Sequence, residues 1–259
     1  MLAVANQKGG VAKTTTTHSL GAALAGMGES VLLVDLDPQA CLTYSLGLDP
    51  DALDRSMHDV FARRVPARDV RVKVGDLSVL PATIDLAGAE VHLMTRTGRE
   101  QFLARALRPI LGEYDTVLVD CPPSLGVLTI NGLTAATDVV IPLQCEVLGH
   151  RGVGQLLETV ADVRSYTNPG LSVLGLVATM YDGRTRHARE ILEDLESRYQ
   201  LPVLGPPVPK SVRFAEAPGR ARSILEHAPT SPGAEAYRAI ARLIHADGSS
   251  PGGSSQETA

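Results

Sequence analysis

The stretch Lys8-Gly9-Gly10-Val11-Ala12-Lys13-Thr14-Thr15 constrains this chain more than any other. An apolar run from Leu2 to Ala5 precedes it, and a long small-residue helix pattern from Thr15 to Met27 follows. Strand, glycine turn, lysine and a hydroxyl opening a helix make a phosphate cradle. Glycines let successive backbone N–H groups point into one concavity, and the helix N-terminus adds its positive end. Lys13 can reach the outer phosphates and Thr14 can hold Mg²⁺, so the stretch reads as a nucleotide site. A glycine turn that merely precedes a lysine does not account for the strand and helix on either side. The lysines point the same way: the chain has four against twenty arginines, and Lys8 and Lys13 share one six-residue window.

Two later apolar runs end in carboxylates, as parallel strands do when their C-terminal ends form a site. Val31 to Val34 leads into Asp35-Leu36-Asp37-Pro38-Gln39, and Thr116 to Val119 leads into Asp120-Cys121-Pro122-Pro123. Asp120 has the place of a Walker B residue, reaching the Mg²⁺ sphere through water, because Mg²⁺ keeps several of its waters. Asp37 is a candidate for active-site chemistry, against the simpler role of capping the turn before Pro38. Pro122 to Gly126 is the expected switch loop, able to sense a γ-phosphate.

The remaining periodicity alternates strands with helices. Strands are expected at Leu77 to Pro81, Asp138 to Leu143 and Leu171 to Met180. Helices are expected at Ile84 to Met94, Glu100 to Leu111, Val127 to Ala136, Gly152 to Tyr166, Arg186 to Tyr199 and Gly233 to Ala246. This predicts an α/β fold of the P-loop NTPase kind, a predominantly parallel sheet covered by helices on both faces. Residues 49–76, charged and arginine-rich, read as a surface excursion with a short helix near Met57 to Phe61. No internal repeat or boundary interrupts the chain, so 1–246 is expected to be one domain. The Gly/Ser-rich tail 247–259 is expected to be disordered.

The ordinary phosphate-loop pattern G-x-x-x-x-G-K-S/T is not met, since Gln7 and Ala12 stand at its two glycine positions. What stands here, K-G-G-x-x-K-T, resembles the deviant Walker A motif of the ParA and MinD ATPases. The segment Leu80 to Glu90 also resembles ParA sequences. So do Met180 to Arg186 and Pro209-Lys210-Ser211-Val212-Arg213-Phe214-Ala215-Glu216-Ala217-Pro218. The resemblance implies ATP as the nucleotide, with Lys8 crossing a homodimer interface to the partner's phosphates. It also implies that Asp37 orients or activates the attacking water; Asp35 is read as holding hydrogen bonding and charge in the site. The base would be held by Thr179-Met180 and Pro207-Val208-Pro209.

In the chromosomal (Soj) branch of that family, arginines matching Arg184 and Arg213 bind DNA phosphates without reading sequence, and Lys210 lies between them here. From Gly183 to Arg222 eight Lys/Arg face five Asp/Glu, although the whole chain carries a net charge of −5. A local basic patch suits phosphate binding of low specificity. The acids Glu190, Glu193, Asp194 and Glu196 leave open a solvated, ion-paired helix face. The implied function is an ATP-dependent dimerisation switch that binds DNA nonspecifically and hydrolyses ATP slowly, stimulated by a ParB-like partner, in chromosome or plasmid partition. The alternative is a MinD-like or orphan ParA-like ATPase that positions a membrane or protein cargo.

Two departures from the family pattern stand out. Ala12 adds a methyl where backbone approaches phosphate; alanine fits if φ is negative there, leaving turnover or exchange open to change. Val147 to Arg151 lacks the tyrosine and glutamate common in this branch, which puts partner contacts there in doubt.

Composition narrows the rest. Three scattered cysteines, Cys41, Cys121 and Cys145, suit a reducing cytoplasm and offer no C-x-x-C pair for a metal, against an iron–sulfur ATPase. No apolar run approaches the ~20 residues of a membrane span. The tail lacks the basic amphipathic helix of MinD-type relatives, so no membrane partner is expected. The expected location is cytoplasmic and nucleoid-associated. His18 and His187 read as surface or helix residues without a role.

Overall fold

The central strands are built on short apolar runs, Leu2–Val4, Val31 to Val34 and Val117 to Val119, which only a sheet covered on both faces can bury. The computed structural model describes residues 1–145 and 149–248. Val147 and Leu148, the side chains of His150, Arg151 and His187, and tail residues 249–259 lie outside the described residues. Among the described residues seven strands form one sheet: β1 (Leu2–Val4), β2 (Val31–Asp35), β3 (Val72–Val74), β4 (Leu77–Leu80), β5 (Thr116–Asp120), β6 (Asp138–Gln144) and β7 (Ser172–Thr179). Their order is β3-β4-β2-β5-β1-β6-β7, parallel throughout except for β3.

The α-helices around it are α1 (Lys13–Ala25), α2 (Cys41–Ser45), α3 (Leu86–Leu93), α4 (Phe102–Leu107), α5 (Val127–Ala135), α6 (Gly149–Tyr166), α7 (Arg186–Tyr199), α8 (Arg213–Glu216), α9 (Ile224–His227) and α10 (Pro232–Gly248). Because strand side chains alternate, β2 sends Val31 and Leu33 to one face and Leu32 and Val34 to the other. The first face packs on Leu20 and Leu24 of α1 and on Tyr237 and Ile240 of α10. The second packs on Leu86, Leu103, Leu128 and Leu156 from α3 to α6.

The segment 49–76 is more than a surface excursion. Met57, Val60, Phe61, Ala67 and Val70 are buried in the core, and the segment ends in β3, which pairs antiparallel with β4 at the sheet edge. Burial of these five apolar side chains outweighs the solvation of the charged residues between them and decides where the segment lies. The helix expected over 100–111 is shorter, because Pro109 cannot continue it.

The other edge is closed without a strand. Residues 202–209 run alongside β7, with bridges Leu176 to Val203 and Tyr181 to Pro209.

Candidate nucleotide site

β1 delivers the chain to the C-terminal end of the sheet, where buried Asn6 fixes the loop entrance. Its Nδ2 donates to the Pro142 carbonyl at 2.8 Å, and its Oδ1 accepts the Lys8 N–H at 3.0 Å. The loop then turns through two left-handed residues, Gly10 (φ 72°) and Ala12 (φ 67°, ψ 33°). Glycine adopts that conformation without strain; alanine does not. The condition under which alanine fits, a negative φ at Ala12, is therefore not met: the loop geometry imposes the left-handed turn and the methyl is carried in it.

Ala12 is the N-cap of α1 and offers no side-chain cap, so the N–H groups of the first turn are left to an anion. Gly9 is exposed, Val11 buried, and Thr15 half-buried in that first turn. Lys13 is only 7% exposed, and its Nζ donates to the Lys8 carbonyl at 3.1 Å, folding the side chain back over the loop. Burial lowers its pKa, opposed by Asp120, Cys121 and Asp37. Behind the loop, the Thr179 hydroxyl lies 3.0 Å from the Val11 and Leu143 carbonyls, tying the loop to β6 and β7.

The strand register sets Asp35 beside Asp120 at the ends of β2 and β5. Both side chains are fully buried. Asp120 accepts the Thr14 hydroxyl at 2.7 Å and the Thr17 hydroxyl at 3.2 Å. Asp35 accepts the Asp37 N–H at 3.0 Å, the Thr43 N–H at 2.9 Å and the Thr43 hydroxyl at 2.7 Å. Burial raises both carboxyl pKa values, and a neighbouring carboxylate raises each further, Asp37 acting on Asp35 and Asp35 on Asp120. Hydrogen bonds from Thr43 to Asp35, and from Thr14 to Asp120, oppose the shifts.

Two buried carboxylates side by side call for a cation or a proton. The donors at hand, the Thr14 hydroxyl and Asp120, are the few hard oxygens that a water-keeping Mg²⁺ takes. Among the described residues no three His, Cys, Asp or Glu side chains cluster as a closed metal site. Asp37 is 9% exposed at the same end of the sheet, with Oδ1 accepting the Gln39 N–H at 2.9 Å. The turn-capping role is thus present.

Pro209 sits beside the end of β7, where the Tyr181 N–H donates to Val208 O at 2.9 Å and the Lys210 N–H to Tyr181 O at 3.3 Å. That bridge also brings the segment of Arg184 next to the one carrying Lys210 and Arg213. All three cations are exposed. Arg213 pairs with Glu216 at 3.3 Å, and Glu216 also meets His227 Nε2 at 3.0 Å.

Sequence reasoning passed over several residues. Asn6, Thr17 and Thr43 hold the loop and the carboxylates; the Thr14-Thr15-Thr16-Thr17 run was the one visible signal. Of the surface or helix placements expected for His18, the helix holds and the surface does not: it lies in α1. It is buried, its Nδ1 lies 3.1 Å from Ser45 Oγ, and burial lowers its pKa to about 4.

A family model described as an AAA domain matches residues 1–173. The sporulation initiation inhibitor protein Soj of Bacillus subtilis is 42% identical, the match covering 96% of this chain and 99% of that protein. The chromosome-partitioning ATPase Soj of Thermus thermophilus is 45% identical, with 95% of each chain covered. A crystal structure described as cobyrinic acid a,c-diamide synthase from Mycobacterium smegmatis, with bound ADP and magnesium, is 54% identical with a TM-score of 0.85, covering 94% of this chain and 93% of that one.

Proposed function

Because the chain belongs to the ParA/Soj family of ATPases, we propose that it is an ATP- and Mg²⁺-dependent dimerisation switch that binds DNA nonspecifically and releases it on hydrolysis. The observation that carries this is the contact of the Thr14 hydroxyl with Asp120 at 2.7 Å, beside the buried Lys13 at the mouth of a loop built for phosphate.

Bound ATP with Mg²⁺ supplies the transferable phosphoryl group and the counter-charge for the carboxylates. Residues Gly9 to Thr15 hold the phosphates, through backbone N–H groups and Lys13, and Thr14 with Asp120 holds the ion. Asp37 orients the attacking water and accepts its proton. Lys8 reaches across a homodimer to the partner's phosphates, and Pro209 lies along the base. These parts position and neutralise charge rather than form covalent intermediates, which suits a slow timer that a ParB-like protein accelerates.

Arg184, Lys210 and Arg213 supply the DNA contact, supported by the Tyr181 to Pro209 bridge that gathers their segments. The setting is chromosome or plasmid partition, in a nucleoid-associated protein of the cytoplasm. Among the described residues no helix is long and apolar enough to cross a membrane.

The test is binding to random-sequence duplex DNA with ATP, with ADP and without nucleotide, alongside a salt titration and Arg213→Ala. ATP-dependent binding that weakens with salt, and whose salt slope falls by about one in Arg213→Ala, supports the reading. Binding indifferent to nucleotide, or none, refutes the DNA output. The description of the Mycobacterium smegmatis structure favours a second reading, ATP-dependent amide formation on a carboxylic acid. ATP turnover that needs an added acid and amine donor, and ignores DNA, would select it.

A further inference from the structure

A cleft of about 480 Å³ lies between the turn 60–68 and α4, lined by no residue of the nucleotide loop. Its volume falls within the range of small-molecule sites. Val60, Phe102 and Ile110 make an apolar floor, with Val60 and Ile110 almost wholly buried. Arg64, Arg68 and Arg105 stand around it, and among the described residues no Asp or Glu lines it. Local acids do little to neutralise these cations. Among the described residues Arg68 pairs with Asp69 alone, at a loose 3.8 Å, and Arg105 donates to the neutral Gln101 Oε1 at 3.1 Å. Arg64 is ion-paired to no described residue, because the buried Asp59 of its own turn pairs with Arg63 at 3.2 Å.

The Arg64 backbone is left-handed, φ 57°, an uncommon state for a side chain of this size. The Val65 N–H bond to the Asp59 carbonyl at 3.1 Å holds that turn closed. The left-handed residue caps the helical turn 59–63 and carries an exposed cation to the rim of an apolar cleft, where it can meet the anionic end of a ligand whose body lies on the floor.

We propose that this cleft binds a small amphipathic organic carboxylate, its apolar body on Val60, Phe102 and Ile110 and its carboxylate among Arg64, Arg68 and Arg105. Guanidinium groups suit a carboxylate because their planar fork matches its two oxygens. A hydrocarbon body alone would leave the arginines unanswered, and a bare inorganic anion would leave the floor uncovered.

Calorimetric titration of the full chain without nucleotide tests this, using decanoate as the probe, with decanol and inorganic phosphate as the half-matched controls. One saturable decanoate site is expected, with decanol and phosphate each at least about tenfold weaker. Arg64→Gln with Arg105→Gln should weaken decanoate by about tenfold or more while leaving the thermal melt in place. Arg64→Lys with Arg105→Lys should recover part of the loss. Absence of a saturable site, equal binding of decanol, or unchanged binding in the double glutamine variant would overturn the proposal. Since no nucleotide is present, the result stands apart from the ATPase reading.

Discussion

Replacing Ala12 with glycine should stabilise the protein, an unusual direction for a change in a nucleotide loop. Ala12 has φ 67° and ψ 33°, and a Cβ in the left-handed region costs about 1–2 kcal/mol. Glycine removes that strain but returns about 0.5–1 kcal/mol of backbone freedom to the unfolded chain. The midpoints of the two ranges differ by about 0.75 kcal/mol in favour of glycine, a rise of roughly 1.5–3 °C in Tm for a domain of this size. Urea unfolding of nucleotide-free protein, checked by thermal melting, measures it.

Ala40 supplies an internal control. It is also left-handed, φ 52°, but it is 2% exposed, whereas Ala12 is half-buried. Ala40→Gly loses about 0.8 kcal/mol of methyl burial, which cancels most of the strain relief. Ala12→Val should be worse than either, since a β-branched residue tolerates this region least. If Ala12→Gly is neutral or destabilising while m-values stay constant, the methyl is not strained and the reasoning fails.

Other sites give equally direct outcomes. Gly175, φ 156°, sits where β6 and β7 slip register, and an added Cβ would lie 2.5 Å from the Pro202 carbonyl. Gly175→Ala should therefore cost about 2–3 kcal/mol, read as a Tm drop of roughly 5–10 °C. His18 is held neutral by burial, with Glu226 opposing weakly, and its pKa of about 4 lies below the ordinary 6.5. The unfolded chain then binds the extra proton first, so this contribution is whole above about pH 6.5 and falls away as pH drops toward 4. About 2 kcal/mol should be gone by pH 5, and His18→Gln should flatten that part of the stability profile. An unchanged slope in the variant would assign the acid sensitivity elsewhere. Asp37→Ala should keep ATP binding while lowering turnover by about 10²–10⁴-fold, whereas Lys13→Ala should lose binding itself. Turnover unchanged in Asp37→Ala would remove its assigned role.

What could be read in advance follows from which signals are local. β2 and β5 were legible because a strand buried on both faces is a continuous apolar run, and a carboxylate at its end stands out. β3 was not, since the alternation in Val-Lys-Val is too short to stand out and the strand pairs because the chain turns back at Gly75. The core anchors Met57, Val60 and Phe61 were outvoted by charged neighbours, and their burial depends on α3 and α4 arriving later in the chain. His18 could be read as a helix or surface residue, and that it is buried was hidden for the same reason, since Ser45 of α2 reaches it from later in the chain. In the site, Lys13, Thr14 and Asp120 were visible as residue types at motif positions. The sign of φ at Ala12 was not, because alanine is compatible with both hands and the closure of the loop decides.

The two ends of the sheet bear on how copies of the chain can meet. A free strand edge invites another chain to add to it, and neither edge offers that here. β3 is three residues long, antiparallel and carries Lys73, while residues 202–209 lie against the outer side of β7. Strand addition, with the aggregation and domain exchange that accompany it, is thereby discouraged at both borders. For the dimer proposed above, that leaves side-chain surfaces and loops, which a bound ligand can reshape and a continuous hydrogen-bonded ladder could not.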